Sequence, residues 1–244
     1  MINERLTRAA SRSLRLVVML FLVLVLAAPV IAQQKYVSRY DLFTGYTFLN
    51  SPKINLFENG FHTQIGMRLR MWVSMGFDYS IASGDMTLTP DLLPDALQQS
   101  LKTTLGQLAA AGRLPAGYTL SVPAHSVTQA FATGPQFAYR GIRGVALFIR
   151  PSMGAIREYA KPKPGDPIAE AIVKGLTPTG EKRDWQGFYG IGGGIDINFS
   201  KHVGLRIQAD QVWDHLFNDI LKDGRFTTRF SIGPAFNFGR NIAE

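Results

Sequence analysis

The feature that most constrains this chain is a long, strict alternation of apolar and polar side chains. A repeat of two residues places successive side chains on opposite faces of a β-strand. The alternation in 60–72 returns in 73–81 and 203–215, and each run is longer than the usual strand of about five or six residues. One face of 60–72 carries Phe61, Thr63, Ile65, Met67, Leu69 and Met71, and the other carries His62, Gln64, Gly66, Arg68 and Arg70.

The two faces of these strands need different surroundings. In a soluble sandwich the apolar face meets a second sheet, whereas in a membrane barrel it meets lipid and the polar face lines the lumen. The run lengths match the roughly 9–11 residues of a membrane-spanning strand. Aromatic residues recur at both strand ends, as in the interfacial girdles of a barrel. These are Tyr40, Trp72, Tyr139, Phe199 and Phe238 at one end, and Phe48, Phe61, Tyr79, Trp185, Trp213 and Phe226 at the other.

The first 32 residues resemble a secretory signal peptide. Four arginines precede an uncharged aliphatic run from Leu16 to Ala32, and Val30 and Ala32 supply the small residues of a cleavage site. A membrane anchor is the alternative, but the run is shorter than the about 20 apolar residues of a spanning helix and contains Pro29. We therefore predict cleavage after Ala32.

The remaining chain divides into strands joined alternately by tight and long connections, the asymmetry of an outer-membrane barrel. The predicted fold class is all-β: an eight-stranded antiparallel up-and-down transmembrane β-barrel with helical insertions in the long extracellular loops. We assign 1–32 to the signal peptide, 33–239 to the barrel and 240–244 to a short periplasmic tail. Pro135 and Pro234 each follow a glycine within a strand and predict bulges or kinks. The predicted strands are 39–49, 60–71, 72–82, 127–140, 144–156, 185–199, 203–215 and 225–238.

Two long loops carry helical patterns. Pro90 follows Thr89 as a helix start, and Gly112 and Pro115 end the pattern, which predicts a helix over about 91–111. A shorter amphipathic helix is predicted over 168–176. An isolated helix of this length is marginal in water, so the leucine stripe needs a cover: the barrel mouth, the lipopolysaccharide leaflet or another protein. The stripe consists of Leu93, Leu97, Leu101, Leu105 and Leu108.

The segments FTGYTFL, GMRLRMWVSMGFDYS, GPQFAYR and GGGIDINFSKHVGLRIQAD resemble the small, single-domain outer-membrane β-barrel family, of the OmpA transmembrane type. The resemblance implies residence in the cell outer membrane and contact with lipid, including lipopolysaccharide. It also implies recognition by the barrel-assembly machinery. The residues that match the terminal-strand assembly signal are Ser231, Gly233, Phe236 and Phe238.

Charged residues of both signs fall on the predicted inward faces. Charges in so narrow an interior need partners, because an unpaired buried charge costs several kcal/mol. We therefore expect ion pairs that fill the lumen, with glycines at 190, 192 and 194 leaving room; the alternative is an ion path through a narrow pore. The predicted network comprises Arg68, Asp78, Arg150, Asp196, Arg206, Asp210, Asp214 and Arg229.

Other chemistries find little support in the sequence. Cysteine is absent, which excludes disulfides, thiolate metal ligands and lipoprotein acylation. The net charge is +8, of which the leader accounts for +3, and the remaining Lys and Arg are scattered along the chain. Nucleic acid is therefore not an expected partner, and we predict no cofactor and no metal. His62, Asp214 and His215 raise a membrane-embedded hydrolase as a further alternative. Adjacent strand residues point to opposite faces, however, and the sequence predicts no enzyme.

Overall fold

A computed structural model describes residues 36–243, so the predicted signal peptide and its cleavage after Ala32 lie outside the described residues. Two α-helices and two short 3-10 turns, Pro52–Ile54 and Pro90–Leu92, interrupt the strands. The helices are α1 (Asp95–Ala110) and α2 (Pro167–Leu176). The strands are β1 (Ser38–Ser51), β2 (Leu56–Arg70), β3 (Val73–Leu88), β4 (Val122–Ile142), β5 (Val145–Pro162), β6 (Lys182–Asn198), β7 (Val203–Asp214) and β8 (Arg225–Asn241).

The strands form a closed barrel in which each pairs antiparallel with its sequence neighbours and β1 closes the sheet against β8. This confirms the predicted eight-stranded, antiparallel, up-and-down fold. Several strands run past their predicted ends: β4 covers 21 residues, and β8 continues to Asn241, beyond the boundary placed at 239. We call the end that carries the long connections the loop end, and the opposite end, where the described residues begin and end, the turn end.

Burial alternates along the strands as the sequence pattern requires. In β8, residues from Arg225 to Asn237 are alternately buried and exposed, the exposed ones being mainly apolar. The outer surface carries large exposed side chains such as Ile65, Phe77 and Ile191. A contiguous apolar surface of this kind on a protein is expected to contact lipid or another protein.

The prolines within strands do not produce the bulges that we expected. Pro135 pairs with Met75, and Pro234 pairs with Leu205, without any shift of register. The register shifts lie instead close to the turn end, at Ser38/Tyr40, Arg68/Arg70 and Tyr139/Ile142. Each proline lacks one backbone donor, but the neighbouring pairs of the closed sheet hold the register.

Helix α1 begins later than the sequence pattern indicated. Pro94 favours an extended conformation at the preceding residue, and Leu93 has φ −76° and ψ 153°. The predicted helix therefore divides into a 3-10 turn and a helix from Asp95. Helix α2 has an N-cap at Asp166, whose carboxylate accepts hydrogen bonds from the amides of Ile168 and Ala169 at 2.9 and 2.8 Å. Within the described residues, neither helix is long and apolar enough to cross a membrane.

Candidate functional site

A square of four charged side chains occupies the middle of the barrel. Arg150 lies 2.6 Å from Asp78 and 3.5 Å from Asp210, and Arg229 lies 3.5 Å from Asp78 and 2.9 Å from Asp210. All four side chains are at least 96% buried. Two cations thus share two carboxylates, so each charge has partners of the opposite sign.

Neighbouring small and polar residues fit around this square. His62 lies beside it, with Nδ1 3.0 Å from the Ser231 hydroxyl and Nε2 3.8 Å from Asp78. A Cβ at Gly192 would lie 1.9 Å from Oδ1 of Asp210. Glycine at this position therefore leaves room for the carboxylate, whereas we had expected room for arginine side chains.

A second cluster, nearer the turn end, centres on Arg206. Its guanidinium donates to both oxygens of Asp196, at 2.6 and 2.9 Å, and to Asp41 at 2.9 Å. It also lies 5.7 and 5.0 Å from the ring centres of Phe43 and Phe148. Bidentate hydrogen bonding combined with packing against aromatic rings suits a guanidinium and not an ammonium. The planar geometry of the Arg206 side chain, and not only its charge, therefore fits this cluster.

A third cluster lies nearer the loop end. Arg225 donates to Asp214 at 3.0 Å and also contacts Glu158, which accepts a hydrogen bond from Ser126. Glu58 is fully buried nearby, and neither of its carboxylate oxygens has a hydrogen-bond partner among the described residues. This cluster therefore contains more acidic than basic side chains.

All eight residues of the predicted network are buried and face the interior. Arg68 lies at the turn end, 3.7 Å from Asp41, and Asp214 joins the Arg225 cluster. The sequence-based prediction missed other charged residues of the interior. Arg225 could have been included, because it shares the period-2 phase of Arg229 and therefore faces the same side of β8. Glu158 lies beyond the predicted end of β5 at residue 156, although β5 continues to Pro162. The missed charged members are Asp41, Glu58, Arg140, Glu158 and Arg225.

An apolar cluster fills the loop end of the barrel interior. Leu216, Phe217 and Leu221, from the connection between β7 and β8, are almost fully buried there together with Leu92. These four residues pack with inward-facing strand residues. We call the loop residues and the strand residues together the mouth cluster. The strand residues include Met86, Ala130, Ala132, Ile156, Phe188 and Val212.

The leucine stripe of α1 packs beside the mouth cluster in a separate group. Leu101 is buried with Leu120, Val122 and Ala169, and Leu93 and Leu105 pack against them. Leu97 lines a groove between α1 and α2, and Leu108 is partly buried. The stripe therefore joins the two helices to the ends of the strands, whereas the mouth itself is filled by 216–221 and Leu92.

A polar contact ties α1 to the β7–β8 connection. The Lys222 ammonium donates to Asp95 at 2.8 Å, and its amide donates to the carbonyl of Leu92 at 2.7 Å. The hydrogen bond and charge of Lys222 lower the pKa of the exposed Asp95 carboxyl. An ion pair this exposed contributes little stability, so the apolar packing holds the two loops together.

The predicted assembly residues lie on both faces of β8. Ser231 is buried, 2.9 Å from the Thr47 hydroxyl, and Gly233 also faces inward. Phe236 and Phe238 point outward, 39% and 44% exposed, and Phe238 stacks on Tyr40. The aromatics of the closing strand are thus accessible on the barrel exterior.

We expect Phe238→Ala and Phe236→Ala each to reduce the amount of folded protein in the outer membrane. The reason is that the terminal strand resembles the barrel-assembly signal, in which these aromatics are recognised. The measurement is quantitative immunoblotting of outer-membrane fractions. Phe226→Ala, an exposed aromatic at the other end of the same strand, is the matched control, and equal levels for all three variants would contradict the assignment.

The residues considered for hydrolysis do not converge. Asp214 binds Arg225 inside the barrel, whereas His215 packs edge-on against Trp213 with ring centres 5.4 Å apart. His62 lies with Ser231 in the middle of the barrel. Within residues 36–243, no group of three or more His, Asp or Glu side chains is arranged to hold a metal ion.

Comparisons with known proteins return similar structures only. No family model matches the chain, and no curated relative does. Neisserial surface protein A is 8% identical, with 82% of this chain and 96% of that chain covered and a TM-score of 0.48. The attachment invasion locus protein Ail of Yersinia pestis is 12% identical, covering 82% and 97%, with a TM-score of 0.43. The N-terminal β-barrel domain of Pseudomonas aeruginosa OprF is 12% identical, covering 82% and 98%, with a TM-score of 0.41.

These structural similarities are weak, so the assignment of a barrel fold rests on the strand pairing itself. The fold is a closed, eight-stranded, antiparallel up-and-down barrel, with charged side chains inside and mainly apolar side chains outside. Its distinguishing features are the clusters around Arg206, Asp78 and Arg225, the mouth cluster and the packed helices α1 and α2.

Proposed function

We propose that this chain is an outer-membrane barrel with a closed lumen, acting as a structural or interaction protein that presents α1 and α2 outside the cell. The observation that carries the proposal is the stacking of the three ionic clusters and the mouth cluster along the barrel axis. An eight-stranded barrel has an interior just wide enough for side chains to fill. The buried arginine side chains therefore fill the lumen and also neutralise the buried carboxylates.

The apolar outer surface supports placement in a membrane. Outward side chains such as Leu69, Phe77, Ile191 and Phe230 are 41–54% exposed, although burial of such groups would be favourable. A closed barrel satisfies its backbone hydrogen bonds internally, as a membrane-spanning sheet must. The long connections face the cell exterior in this proposal, since outer-membrane barrels keep short turns on the periplasmic side.

The ionic clusters argue against a pore. A conducting path needs mobile water, whereas Asp78, Arg150 and Arg206 are at least 99% buried and are in contact with ions of opposite charge. The mouth cluster adds an apolar layer that water would have to displace. Among residues 36–243, the separation of Asp214 from His215 supports this structural role over hydrolysis.

Planar-bilayer recording tests the proposal. We expect the refolded protein to give no stable open-channel current, because the stacked clusters leave no continuous aqueous path. A porin reconstituted in the same lipid serves as the positive control for insertion, and recovery of folded protein from the bilayer lipid checks that the chain inserted. A steady, porin-sized conductance would overturn the closed-lumen proposal.

A further inference from the structure

A cavity of about 320 Å³ opens at the turn end of the barrel, beyond the Arg206 cluster. Four basic side chains line it, together with hydrogen-bonding groups from Asn198, Ser200 and Asn237. Of the eight residues in the charge network predicted from the sequence, only Arg68 lines this cavity. The four basic residues are Arg68, Arg140, Arg143 and Lys201.

The basic residues form a buried floor and an exposed rim. Arg68 and Arg140 are only 4% and 8% exposed, whereas Arg143 and Lys201 are exposed on the turns that follow β4 and β6. Arg68 is fixed by hydrogen bonds of 2.8 Å to the Ser38 carbonyl and to the Asn237 amide oxygen. Its Nε has no hydrogen-bond partner among the described residues.

Arg140 is also held in place, because its Nε donates to the carbonyl of Met71 at 2.9 Å. Both floor guanidiniums are therefore oriented before any ligand arrives. Preorganised groups lose less conformational freedom on binding than flexible ones. The rim residues Arg143 and Lys201 are exposed, and the Lys201 ammonium lies 5.3 Å from the ring centre of Tyr36, which also lines the cavity.

The charge at this end is not balanced by carboxylates. The nearest ones are Asp41, which Arg206 and Arg68 share at 2.9 and 3.7 Å, and Asp196, which Arg206 engages at 2.6 Å. Two carboxylates therefore face Arg206 and the four basic residues of the cavity. The central square, by contrast, is electrically neutral, since Arg150 and Arg229 face Asp78 and Asp210. Cations concentrated in a partly desolvated cavity favour an anion more strongly than the same cations in water.

We propose that this cavity binds a phosphate group. Its source is either free phosphate or the phosphate of a lipid headgroup in the periplasmic leaflet of the outer membrane. Guanidinium groups recognise phosphate through paired N–H donors, and an ammonium adds a mobile point charge. The floor and the rim supply both kinds of group. Phosphate binding itself depends only on the barrel fold and goes beyond the closed-lumen proposal, so conductance and phosphate binding can fail independently. The lipid source of the phosphate also rests on the proposed placement in the membrane.

Isothermal titration of inorganic phosphate into the protein purified from membranes tests the site. The detergent is a non-ionic maltoside, and neither it nor the buffer contains phosphate. The variant Arg143→Gln with Lys201→Gln removes the exposed rim and leaves the buried floor intact. We expect it to bind phosphate at least about fivefold more weakly, since the modest attractions of two exposed cations are lost together and their effects multiply in the binding constant. The control, Arg157→Gln with Lys161→Gln, removes the same charge from exposed positions near the loop end and should leave the affinity unchanged.

Two results would overturn the site: absence of saturable phosphate binding to the parent protein, or equal weakening in the rim and control variants. The source of the phosphate is resolved in lipid nanodiscs. If phosphatidylglycerol weakens the apparent affinity for phosphate relative to phosphatidylcholine alone, an anionic headgroup competes for the cavity. An affinity that is the same in both kinds of nanodisc and in detergent micelles without phosphate groups assigns the site to free phosphate.

Discussion

Replacing Arg206 with alanine is expected to lower the free energy of unfolding by about 3–5 kcal/mol, because it leaves buried carboxylates without their cation. Arg206 is fully buried and donates to Asp41 and to both oxygens of Asp196. Its removal also leaves a void between Phe43 and Phe148. The measurement is urea unfolding of the folded protein in detergent micelles, followed by tryptophan fluorescence and by gel mobility without boiling.

The matched control is Arg157→Ala, which removes the same side chain from an exposed position on β5. Surface changes of this kind alter stability by less than about 0.5 kcal/mol. A third variant, Arg206→Lys, keeps the charge but loses the planar fork, so its stability should fall between those of the parent and Arg206→Ala. If Arg206→Ala behaves like Arg157→Ala, the interior charges are hydrated and the closed-lumen proposal fails.

The fold could be predicted because strand periodicity is a local property of the sequence. The alternation in Gly60–Trp72 fixes which side chains share a face without any knowledge of the partner strands. The strand ends could not be located as well, because β5 continues beyond the apolar outward residues. Arg157, Tyr159 and Lys161 face outward there and suggest a loop, yet they pair with neighbouring strands up to Pro162.

The interior set could be predicted, but its pairing could not. Arg150 on β5 meets Asp78 on β3, and Arg229 on β8 meets the same carboxylate, although none of these strands is adjacent to another in the sheet. Such contacts cross the lumen and depend on the register of all eight strands. Period-2 phase identifies a residue as inward-facing, whereas only the closed geometry selects its partner.

The loop end was the least predictable region. Residues 216–224 have neither strand nor helix periodicity, so nothing in the sequence indicated that Leu216, Phe217 and Leu221 would fill the barrel interior. Phe217 has a φ of 57°, a conformation unfavourable for a bulky side chain. Packing in the mouth cluster offsets that conformational cost, and such a tertiary contact cannot be inferred from local pattern.

Phe217→Ala is accordingly expected to release the connection between β7 and β8 while leaving the barrel folded. The ring is 2% exposed, and the deletion of a buried Phe side chain costs about 3–5 kcal/mol. The readout is cleavage by trypsin after Lys222, whose amide and ammonium are held by Leu92 and Asp95. When opening is fast relative to cleavage, the cleavage rate follows the population of the open loop.

A loss of about 3 kcal/mol raises that population roughly a hundredfold, since each 1.4 kcal/mol corresponds to about a factor of ten. Phe217→Gly loses the same ring but accommodates the positive φ, so its loop should open less often than that of Phe217→Ala. Phe226→Ala, an outward aromatic that is 56% exposed, controls for loss of aromatic surface and should cleave at the parent rate. If Phe217→Ala also cleaves at the parent rate, the mouth cluster does not hold the loop, and the apolar layer of the closed-lumen proposal has no energetic basis.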